Sequence, residues 1–459
     1  MEQITKPHCG ARLDRLPDCR WHSSMFAIVA FGLLVCWSNA VGGLILAQLK
    51  ALGWTDNSTT ATFSAITTAG MFLGALVGGI IGDKTGRRNA FILYEAIHIA
   101  SMVVGAFSPN MDFLIACRFV MGVGLGALLV TLFAGFTEYM PGRNRGTWSS
   151  RVSFIGNWSY PLCSLIAMGL TPLISAEWNW RVQLLIPAIL SLIATALAWR
   201  YFPESPRWLE SRGRYQEAEK VMRSIEEGVI RQTGKPLPPV VIADDGKAPQ
   251  AVPYSALLTG VLLKRVILGS CVLIAMNVVQ YTLINWLPTI FMTQGINLKD
   301  SIVLNTMSMF GAPFGIFIAM LVMDKIPRKT MGVGLLILIA VLGYIYSLQT
   351  SMLLITLIGF FLITFVYMYV CYASAVYVPE IWPTEAKLRG SGLANAVGRI
   401  SGIAAPYAVA VLLSSYGVTG VFILLGAVSI VVAIAIATIG IETKGVSVES
   451  LSNDAVANK

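Results

Sequence analysis

The chain has 459 residues, of which 56% are hydrophobic and only 12% are charged. Soluble domains carry about 25% charged residues, so this composition excludes an ordinary soluble protein and predicts a membrane protein. The net charge of +9 does not indicate a nucleic-acid partner, because the basic residues concentrate in segments between apolar runs, where they set orientation.

Apolar runs of about 20 residues, long enough to cross a bilayer as helices, recur along the whole chain. The predicted spans are 24–49, 59–82, 89–108, 112–136, 149–175, 182–202, 266–290, 301–323, 331–348, 352–378, 391–414 and 419–441. Strands would need a closed barrel with alternating polarity, which these runs lack. The predicted fold class is therefore an all-α membrane protein with twelve transmembrane helices.

A polar segment at 203–265 separates the first six spans from the last six. In its first part, Glu219/Arg223 and Glu227/Arg231 are spaced four apart, which predicts short amphipathic helices. Its second part is rich in proline and predicts an extended connector. The predicted organisation is an N-tail at 1–23, an N-terminal bundle at 24–202, the central loop at 203–265, a C-terminal bundle at 266–441 and a C-tail at 442–459.

Lys and Arg are distributed unevenly between the two sets of loops. With both ends inside, the opposite loops hold only Lys50, Arg181 and Lys299 of the 33 basic residues. This bias predicts that both termini are cytoplasmic. The first 22 residues are polar and basic, and no cleavable signal is expected.

No metal or cofactor is expected. His8, Cys9, Cys19 and His22 fit no familiar metal-binding spacing. No Gly-x-x-x-x-Gly-Lys-Ser/Thr run occurs, so energy for any transport would come from a gradient or from the substrate.

A stretch of the first half occurs again in the second half at one constant offset. The matched positions are Gly70/Gly311, Gly74/Gly315, Asp83/Asp324, Lys84/Lys325, Arg87/Arg328 and Arg88/Lys329. Two further loop positions correspond, with Glu138 and Arg145 matching Glu380 and Arg389, and Glu204 matching Glu442. Two parallel halves in a membrane protein indicate a substrate path between them.

Four motifs in order resemble the major facilitator superfamily, in particular its sugar-porter and metabolite:proton-symporter branch. They are Gly82-Asp83-Lys84-Thr85-Gly86-Arg87-Arg88, Arg118-Phe119-Val120-Met121-Gly122-Val123-Gly124, Pro203-Glu204-Ser205-Pro206-Arg207-Trp208 and Pro379-Glu380-Ile381-Trp382-Pro383-Thr384. The resemblance implies two pseudo-symmetric six-helix bundles that work by alternating access. It also implies a gating network of Asp83, Arg87, Arg88, Glu138, Arg145 and Glu204 in the first half and Asp324, Arg328, Glu380, Arg389 and Glu442 in the second.

Small residues favour close and mobile helix packing. Gly70, Gly74, Gly78 and Gly82 lie four apart on one face of the second span. Gly122 and Gly126 repeat the pattern in the fourth span.

Ionisable residues inside spans are candidates for substrate or ion sites. Arg118 and Arg399 have two open interpretations: they bind an acidic substrate, or they bond to backbone carbonyls. The resemblance implies an acid in the first span as the proton-coupling partner of Arg118, but residues 25–49 contain no Asp or Glu. Glu95, one turn before His98, is an alternative proton carrier, and a structural or headgroup-facing position is the other interpretation.

Neutral polar side chains form a stripe on the seventh span. Asn277, Gln280, Tyr281 and Asn285 share one face and suit hydroxyl-rich or carboxylate ligands; interhelical hydrogen bonding is the alternative. Additional substrate-binding candidates are Asn157, Trp158, Tyr369 and Asn395.

We therefore predict a secondary active transporter, not an enzyme, in a bacterial inner membrane. Its substrate is a small polar metabolite: a sugar, a sugar acid or another organic acid. Proton symport is the family default; an uncoupled sugar facilitator or exchanger is one alternative, and a non-transporting sensor is another. Expected partners are the metabolite, protons and membrane lipids, with no nucleic acid, and a monomer is expected.

Overall fold

The computed structural model describes residues 7–17, 19–141, 145–240, 253–323, 325–382 and 386–443, without the side chains of residues 134, 137, 145, 146 and 388. Within this part the chain is helical and contains no strand. Two members of the predicted gating network, the Arg145 side chain and Asp324, lie outside the described part.

The first half of the chain forms the helices α1 (Cys9–Asp14), α2 (Arg20–Val35), α3 (Gly42–Ala51), α4 (Asn57–Thr85), α5 (Arg87–Ala106), α6 (Met111–Tyr139), α7 (Arg145–Asn157), α8 (Ser159–Leu170), α9 (Ala176–Tyr201), α10 (Pro206–Ser211) and α11 (Tyr215–Thr233). The second half forms α12 (Tyr254–Leu257), α13 (Gly260–Thr293), α14 (Leu298–Met309), α15 (Gly311–Val322), α16 (Arg328–Ser347), α17 (Met352–Cys371), a π-helical turn (Tyr372–Tyr377), α18 (Val378–Glu380) and α19 (Lys387–Ile439).

The described residues contain nine helices that are long and apolar enough to cross a membrane. Ten of the twelve predicted spans correspond to these nine helices, and the first and fifth spans consist of shorter helices. The first span is split into α2 and α3, and the fifth into α7 and α8. The eleventh and twelfth spans run together as α19, with a non-helical bend at Gly417, where φ is 65°.

Several helices begin at side chains that cap the free N–H groups of the first turn. Asn110 accepts a hydrogen bond from the N–H of Phe113 at the start of α6. Asn297 and Ser205 do the same at the starts of α14 and α10. These caps fix where the apolar runs become helical.

The chain folds as two compact units. Unit 1 comprises Met1–Asn39, Gly70–Ser159 and Leu184–Gly246, and unit 2 comprises Ala40–Ala69, Tyr160–Gln183 and Lys247–Lys459. The chain therefore passes from one unit to the other inside four spans of its first half. Two of these passages fall at or beside the breaks that split the first and fifth spans.

Within unit 2, segments from both halves of the sequence pack directly against each other. A Cβ added to Gly43 on α3 would lie 2.4 Å from the carbonyl oxygen of Ile284 on α13. Asn57 donates a hydrogen bond of 2.9 Å to Ser414, and Asn305 one of 3.1 Å to Ser164. These contacts join the first-half segments of unit 2 to its second-half helices.

The repeated glycines bring helix backbones into contact in both halves. In unit 1, a Cβ on Gly74 of α4 would lie 2.1 Å from the carbonyl oxygen of Val123 on α6. In unit 2, a Cβ on the matched Gly315 of α15 would lie 2.3 Å from the carbonyl oxygen of Thr364 on α17. The same helix pair is thus held together by the same device in each half.

The N-tail folds back onto the first part of the central loop. Helix α1 buries Cys9, Leu13 and Leu16 against Trp208 of α10 and Met222 of α11. This small apolar cluster lies within unit 1, together with the ion pairs that surround it.

Two arginines of the N-tail pair with acids of α11. Arg12 contacts Glu219 and lies 2.7 Å from Glu226, and Arg15 lies 2.6 Å from Glu226. Burial raises the pKa of Glu226, but hydrogen bonds from Arg12 and Arg15 outweigh burial and leave that pKa below its ordinary value. The carboxylate form of Glu226 therefore stabilises the docked N-tail.

The glycine contacts predict a selective response to one added methyl group. We expect Gly74→Ala to lower the free energy of unfolding by about 1–3 kcal/mol, because overpacking forces α4 from α6. Gly79→Ala is the matched control, since no atom lies within 4 Å of a Cβ added there. Thermal unfolding of both purified variants measures the difference, and equal midpoints would contradict the packing argument.

The docked N-tail predicts a labelling difference at Cys9. Burial, together with nearby Glu210, raises the pKa of the Cys9 thiol to about 12, so it reacts slowly. We expect Glu226→Gln to speed maleimide labelling of Cys9 about tenfold, which corresponds to about 1.4 kcal/mol. Labelling is quantified by mass spectrometry of the Cys9 peptide, with exposed Glu227→Gln as the control.

The same contact has a defined pH dependence. Because the folded-state pKa of Glu226 is lowered, its stabilising contribution is present above its ordinary pKa and is lost as the pH falls through the lowered value. Hydrogen exchange of α1 is expected to accelerate over that interval, and Glu226→Gln is expected to abolish the dependence.

Candidate functional site

The charged residues repeated in the sequence form a compact network in unit 1. Arg87, the first residue of α5, lies 2.6 Å from Asp83 and 2.9 Å from Glu138 through its side chain. Its backbone N–H donates to Glu204 at 2.7 Å, and the N–H of Arg88 donates to the same oxygen at 3.3 Å. The network thus joins the ends of α4, α5, α6 and α9.

Unit 2 contains the matching network. Arg328, the first residue of α16, makes two parallel hydrogen bonds to Glu380, at 3.0 Å and 3.1 Å. Glu442 accepts hydrogen bonds from the N–H groups of Arg328 and Lys329 at 2.8 Å and 3.1 Å. In both halves an acid therefore caps a helix N-terminus, where a negative charge is favourable. We call this the charged end of each half.

The remaining member of the predicted network with a described side chain is Arg389. Its guanidinium lies 5.2 Å from the ring centroid of Tyr254, on α12. This geometry is suited to a cation–π contact at the charged end of unit 2.

The structure adds a pair of tyrosines that the sequence comparison missed. Tyr139 donates its hydroxyl to the carbonyl of Pro203, directly before Glu204. Tyr377 donates to the carbonyl of Ile441, directly before Glu442, at 3.0 Å. The two tyrosines are not related by the constant offset, so the repeat did not reveal them. Their position beside or near a network acid was the available signal.

Arg118 lies inside unit 1, with only 1% of its surface exposed. Its Nη1 donates 2.7 Å to the carbonyl oxygen of Ser38 and contacts the Met121 sulfur at 3.7 Å. Ser38 lies in the break between α2 and α3. Of the two interpretations of Arg118, the bond to a backbone carbonyl is the one this geometry contains.

Glu95 and His98 belong to the same buried group. The Ser38 hydroxyl is hydrogen-bonded to His98 Nε2 at 2.7 Å, and His98 Nδ1 lies 3.4 Å from Glu95. Both side chains are completely buried, so Glu95 does not face lipid headgroups. We call Glu95, His98, Ser38 and Arg118 the buried relay. Sequence reasoning placed all four residues in spans and Glu95 one turn from His98, but it did not connect that pair with Ser38 or Arg118.

The polar stripe of α13 faces α19 within unit 2. A Cβ on Gly398 would lie 3.0 Å from the Asn277 amide nitrogen, and a Cβ on Gly402 would lie 3.2 Å from the Tyr281 ring. The Asn277 amide also donates to the carbonyl of Leu273, one turn earlier, at 2.7 Å. The small residues of α19 thus let the stripe approach its backbone.

Arg399 follows Gly398 on α19, the residue that packs against Asn277 of this stripe. Its Nη1 is buried and has no hydrogen-bond partner among the described residues. Tyr367 on α17 brings aromatic character to the same region, because Tyr160, Gln280 and Tyr281 are neighbours of its hydroxyl. The rings of Tyr160 and Tyr367 meet edge to face, with centroids 5.3 Å apart.

The other predicted binding residues lie apart from this group. Asn285 is buried on α13, where its carbonyl faces Gly43. Tyr369 donates its hydroxyl to the carbonyl of Val272 at 3.1 Å. The Asn395 amide donates to Ser391, within its own helix.

Two predicted residues of the fifth span belong to unit 1. The Asn157 amide donates to the carbonyl of Ser153. Trp158 is 36% exposed at the junction of α7 and α8. The structure therefore groups Asn277, Gln280 and Tyr281 with Arg399 in one unit, and Arg118, Asn157 and Trp158 in the other.

The chain is similar to known transport proteins in sequence and in fold. A profile of the family described as "Sugar (and other) transporter" matches residues 24–455. The inner membrane metabolite transport protein YdjE of Escherichia coli is 44% identical over 455 residues, covering 98% of this chain and 99% of YdjE. The niacin transporter NiaP of Acinetobacter baylyi is 26% identical over 446 residues, covering 96% of this chain and 99% of NiaP. The inward-open xylose transporter XylE of Escherichia coli superimposes with a TM-score of 0.75 at 16% identity, covering 95% of this chain and 100% of XylE.

The fold is the twelve-helix membrane fold of the major facilitator superfamily, as its likeness to a solved MFS protein shows. The chain belongs to the sugar (and other) transporter family. It is a secondary transporter of sugars or metabolites and not an enzyme, which confirms the predicted fold class and function class.

The charged end of unit 1 predicts an asymmetric response to alanine. Gly86 has φ 97° and ψ 163°, a conformation that is essentially restricted to glycine, and a Cβ there would lie 2.2 Å from a Glu204 oxygen. We expect Gly86→Ala to lower the free energy of unfolding by about 1–3 kcal/mol and to slow transport. The matched position in the second half is Pro327, with φ −57°, where alanine fits. Thermal unfolding of Gly86→Ala and Pro327→Ala compares them, and equal losses would refute the role of Gly86.

Proposed function

We propose that the protein is a proton-coupled symporter of a small organic acid, which binds through its carboxylate to Arg399. The observation that carries this proposal is the buried Nη1 of Arg399, without a hydrogen-bond partner among the described residues. A guanidinium inside a span is costly unless it is paired. A carboxylate matches its planar donors with two parallel hydrogen bonds.

The acids of unit 2 support a counter-ion supplied by the substrate. Asp300, Glu380 and Glu442 lie at helix ends and not within the described membrane spans of the second half. Asn277, Gln280 and Tyr281 offer neutral hydrogen-bonding groups on α13, where Asn277 and Tyr281 pack against Gly398 and Gly402, the neighbours of Arg399 on α19. The rings of Tyr160 and Tyr367 suit an apolar or ring-shaped body of the ligand. Aromatic acids and sugar acids both have this combination of charge and body.

Relatives and the charge distribution support the proposed substrate class, proton coupling and membrane orientation. NiaP is named for niacin, an aromatic carboxylic acid, and a neighbouring solved structure is described as a proton:xylose symporter. The distribution of Lys and Arg supports a cytoplasmic location for the charged ends and both termini. We propose an inner-membrane location for this chain, as the name of YdjE states for that relative. The protein is proposed to act as a monomer within its lipid surroundings.

One sequence feature favours a second candidate, an uncoupled facilitator of neutral sugars. Residues 25–49 contain no Asp or Glu, so the first span offers no carboxylate to accept a proton. Collapse of an imposed pH gradient separates the candidates. Accumulation of substrate against its gradient is lost on collapse if transport is driven by protons, whereas equilibration by a facilitator is unchanged.

The substrate class is tested by uptake into proteoliposomes with labelled nicotinate, gluconate and xylose. We expect uptake of at least one of the two acids and no preference for xylose. Arg399→Gln is expected to weaken the affinity for that acid about 10- to 100-fold, because a hydrogen bond to a charged group contributes about 1.5–3 kcal/mol. Arg399→Lys is expected to retain part of it, since it keeps the charge without the planar donors.

Arg200→Gln is the matched control, because Arg200 lies at the end of α9, against Tyr201. Selective uptake of xylose, or an Arg399→Gln variant with unchanged affinity, would refute the carboxylate site. Ligand binding without flux in the wild-type protein would instead identify a sensor.

A further inference from the structure

We propose that the buried relay is the proton-binding site of this transporter, with Glu95 and His98 holding the transported proton and Ser38 passing its effect to Arg118. The inference rests on the proposed proton-coupled transport and names the group that performs the coupling. It places the titrating carboxylate on α5, the third span, and not on the first.

The relay has the burial that a coupling site inside a membrane needs. Glu95 and His98 have no exposed surface, and Glu95 is the most deeply buried acid among the described residues. Its Oε1 has no hydrogen-bond partner in the described part of the protein, while Oε2 lies 3.4 Å from His98 Nδ1. A buried carboxylate oxygen without a donor is costly, and this cost falls when the group accepts a proton.

The hydrogen bonds of His98 leave room for one more proton. A neutral imidazole carries a single N–H, so it can donate to Ser38 or to Glu95 but not to both. One added proton supplies a donor at both ring nitrogens, or a donor on the Glu95 carboxyl. The pair then changes from a net charge of −1 to 0, and no other atom is exchanged.

One thiol and one cation surround this pair. The titratable or charged groups that face it are Cys36, at the end of α2, and Arg118 on α6, which connects to it through Ser38. The Cys36 sulfur lies within 4.8 Å of a carboxylate oxygen of Glu95 and of a ring nitrogen of His98. Tyr94, on the same helix as the pair, instead donates its hydroxyl to the carbonyl of Gly78. The fixed positive charge of Arg118 balances Glu95 while the proton is absent.

Ser38 connects the protonated pair to Arg118 through two hydrogen bonds. Its hydroxyl is hydrogen-bonded to His98 and its carbonyl accepts from Arg118, so both partners contact the same residue. Ser38 lies in the break between α2 and α3, and the chain passes from unit 1 to unit 2 directly after Asn39. A change of charge at His98 therefore acts on the hydrogen bonds that hold this passage.

Packing alone does not require ionisable side chains at these positions. At the offset that relates Asp83 to Asp324, the counterparts of Glu95 and His98 are Leu336 and Ile339, which are 0% and 3% exposed. The second half thus fills the same places with apolar side chains. Packing therefore does not explain why the first half has an ionisable pair at these positions.

A ligand-free experiment tests the proton site directly. Infrared difference spectra of the detergent-purified protein, recorded across a pH titration, are expected to show a carboxyl band from a poorly hydrated site. Glu95→Gln is expected to remove that band, whereas Asp112→Asn, which replaces an exposed acid at the start of α6, is expected to leave it. Persistence of the band in Glu95→Gln would overturn the proposal.

A flux experiment with labelled nicotinate as the probe tests the coupling. Accumulation driven by a pH gradient is expected to fall about tenfold or more in Glu95→Gln and His98→Gln, a typical size for coupling between two sites. Counterflow, which exchanges substrate without net proton movement, is expected to continue and shows that the variants are folded. Asp112→Asn, at an exposed acid, is the matched control and is expected to keep both activities.

Gradient-driven accumulation equal to wild type in Glu95→Gln would refute the proposal while leaving the transport function intact. If the wild-type protein moves no nicotinate, the proposed substrate class is in question, and the infrared titration still decides whether Glu95 binds the proton. If Glu95→Gln is not recovered as folded protein, loss of accumulation with retained counterflow in His98→Gln supports the relay. Unchanged accumulation in that variant counts against it.

Discussion

A break in a membrane-spanning helix exposes backbone groups that lipid cannot satisfy, and this constraint governs the first span. The helix stops at Val35 and resumes at Gly42. The carbonyl of Ser38, inside the break, accepts a hydrogen bond from the buried guanidinium of Arg118. This bond satisfies two groups that would each be costly alone. The bond lies directly before the point at which the chain leaves unit 1, after Asn39.

The two halves share their charged networks but not their buried polar residues. In each half an arginine begins a helix, an acid caps it, and a tyrosine holds the backbone beside that acid. The buried residues follow no such rule. At the same offset, Arg118 corresponds to Gly359, where a Cβ would lie 2.5 Å from the Ser308 hydroxyl, so the second half has no room for a side chain there. Arg399 corresponds to Trp158.

The sequence predicted what depends on local pattern. The spans follow from apolar length, and the charged networks follow from an offset that backbone geometry preserves, so Arg87 and Arg328 could be placed in advance. The contacts between Ser38, His98 and Arg118 could not, because they join residues up to 80 positions apart. Nor could the docking of Arg12 on Glu226, since apolar and charged residues of a polar tail also suit a membrane surface. Periodicity reports which face of a helix is apolar, but not which other helix meets it.

Arg118 and Arg399 have different surroundings, and the roles proposed for them differ accordingly. Arg118 donates to the carbonyl of Ser38. The Ser38 hydroxyl is hydrogen-bonded to His98, which lies beside Glu95, so the surroundings of Arg118 contain the opposite charge. Arg399 has a buried Nη1 without a hydrogen-bond partner among the described residues, and Asp300, Glu380 and Glu442 of its half lie at or beyond helix ends. A charge that is balanced within the protein is suited to respond to a proton, because one added proton upsets the balance. A charge that is left unbalanced is suited to bind an anion. The roles proposed for Arg118 and Arg399 therefore differ because the groups around the two guanidinium groups differ.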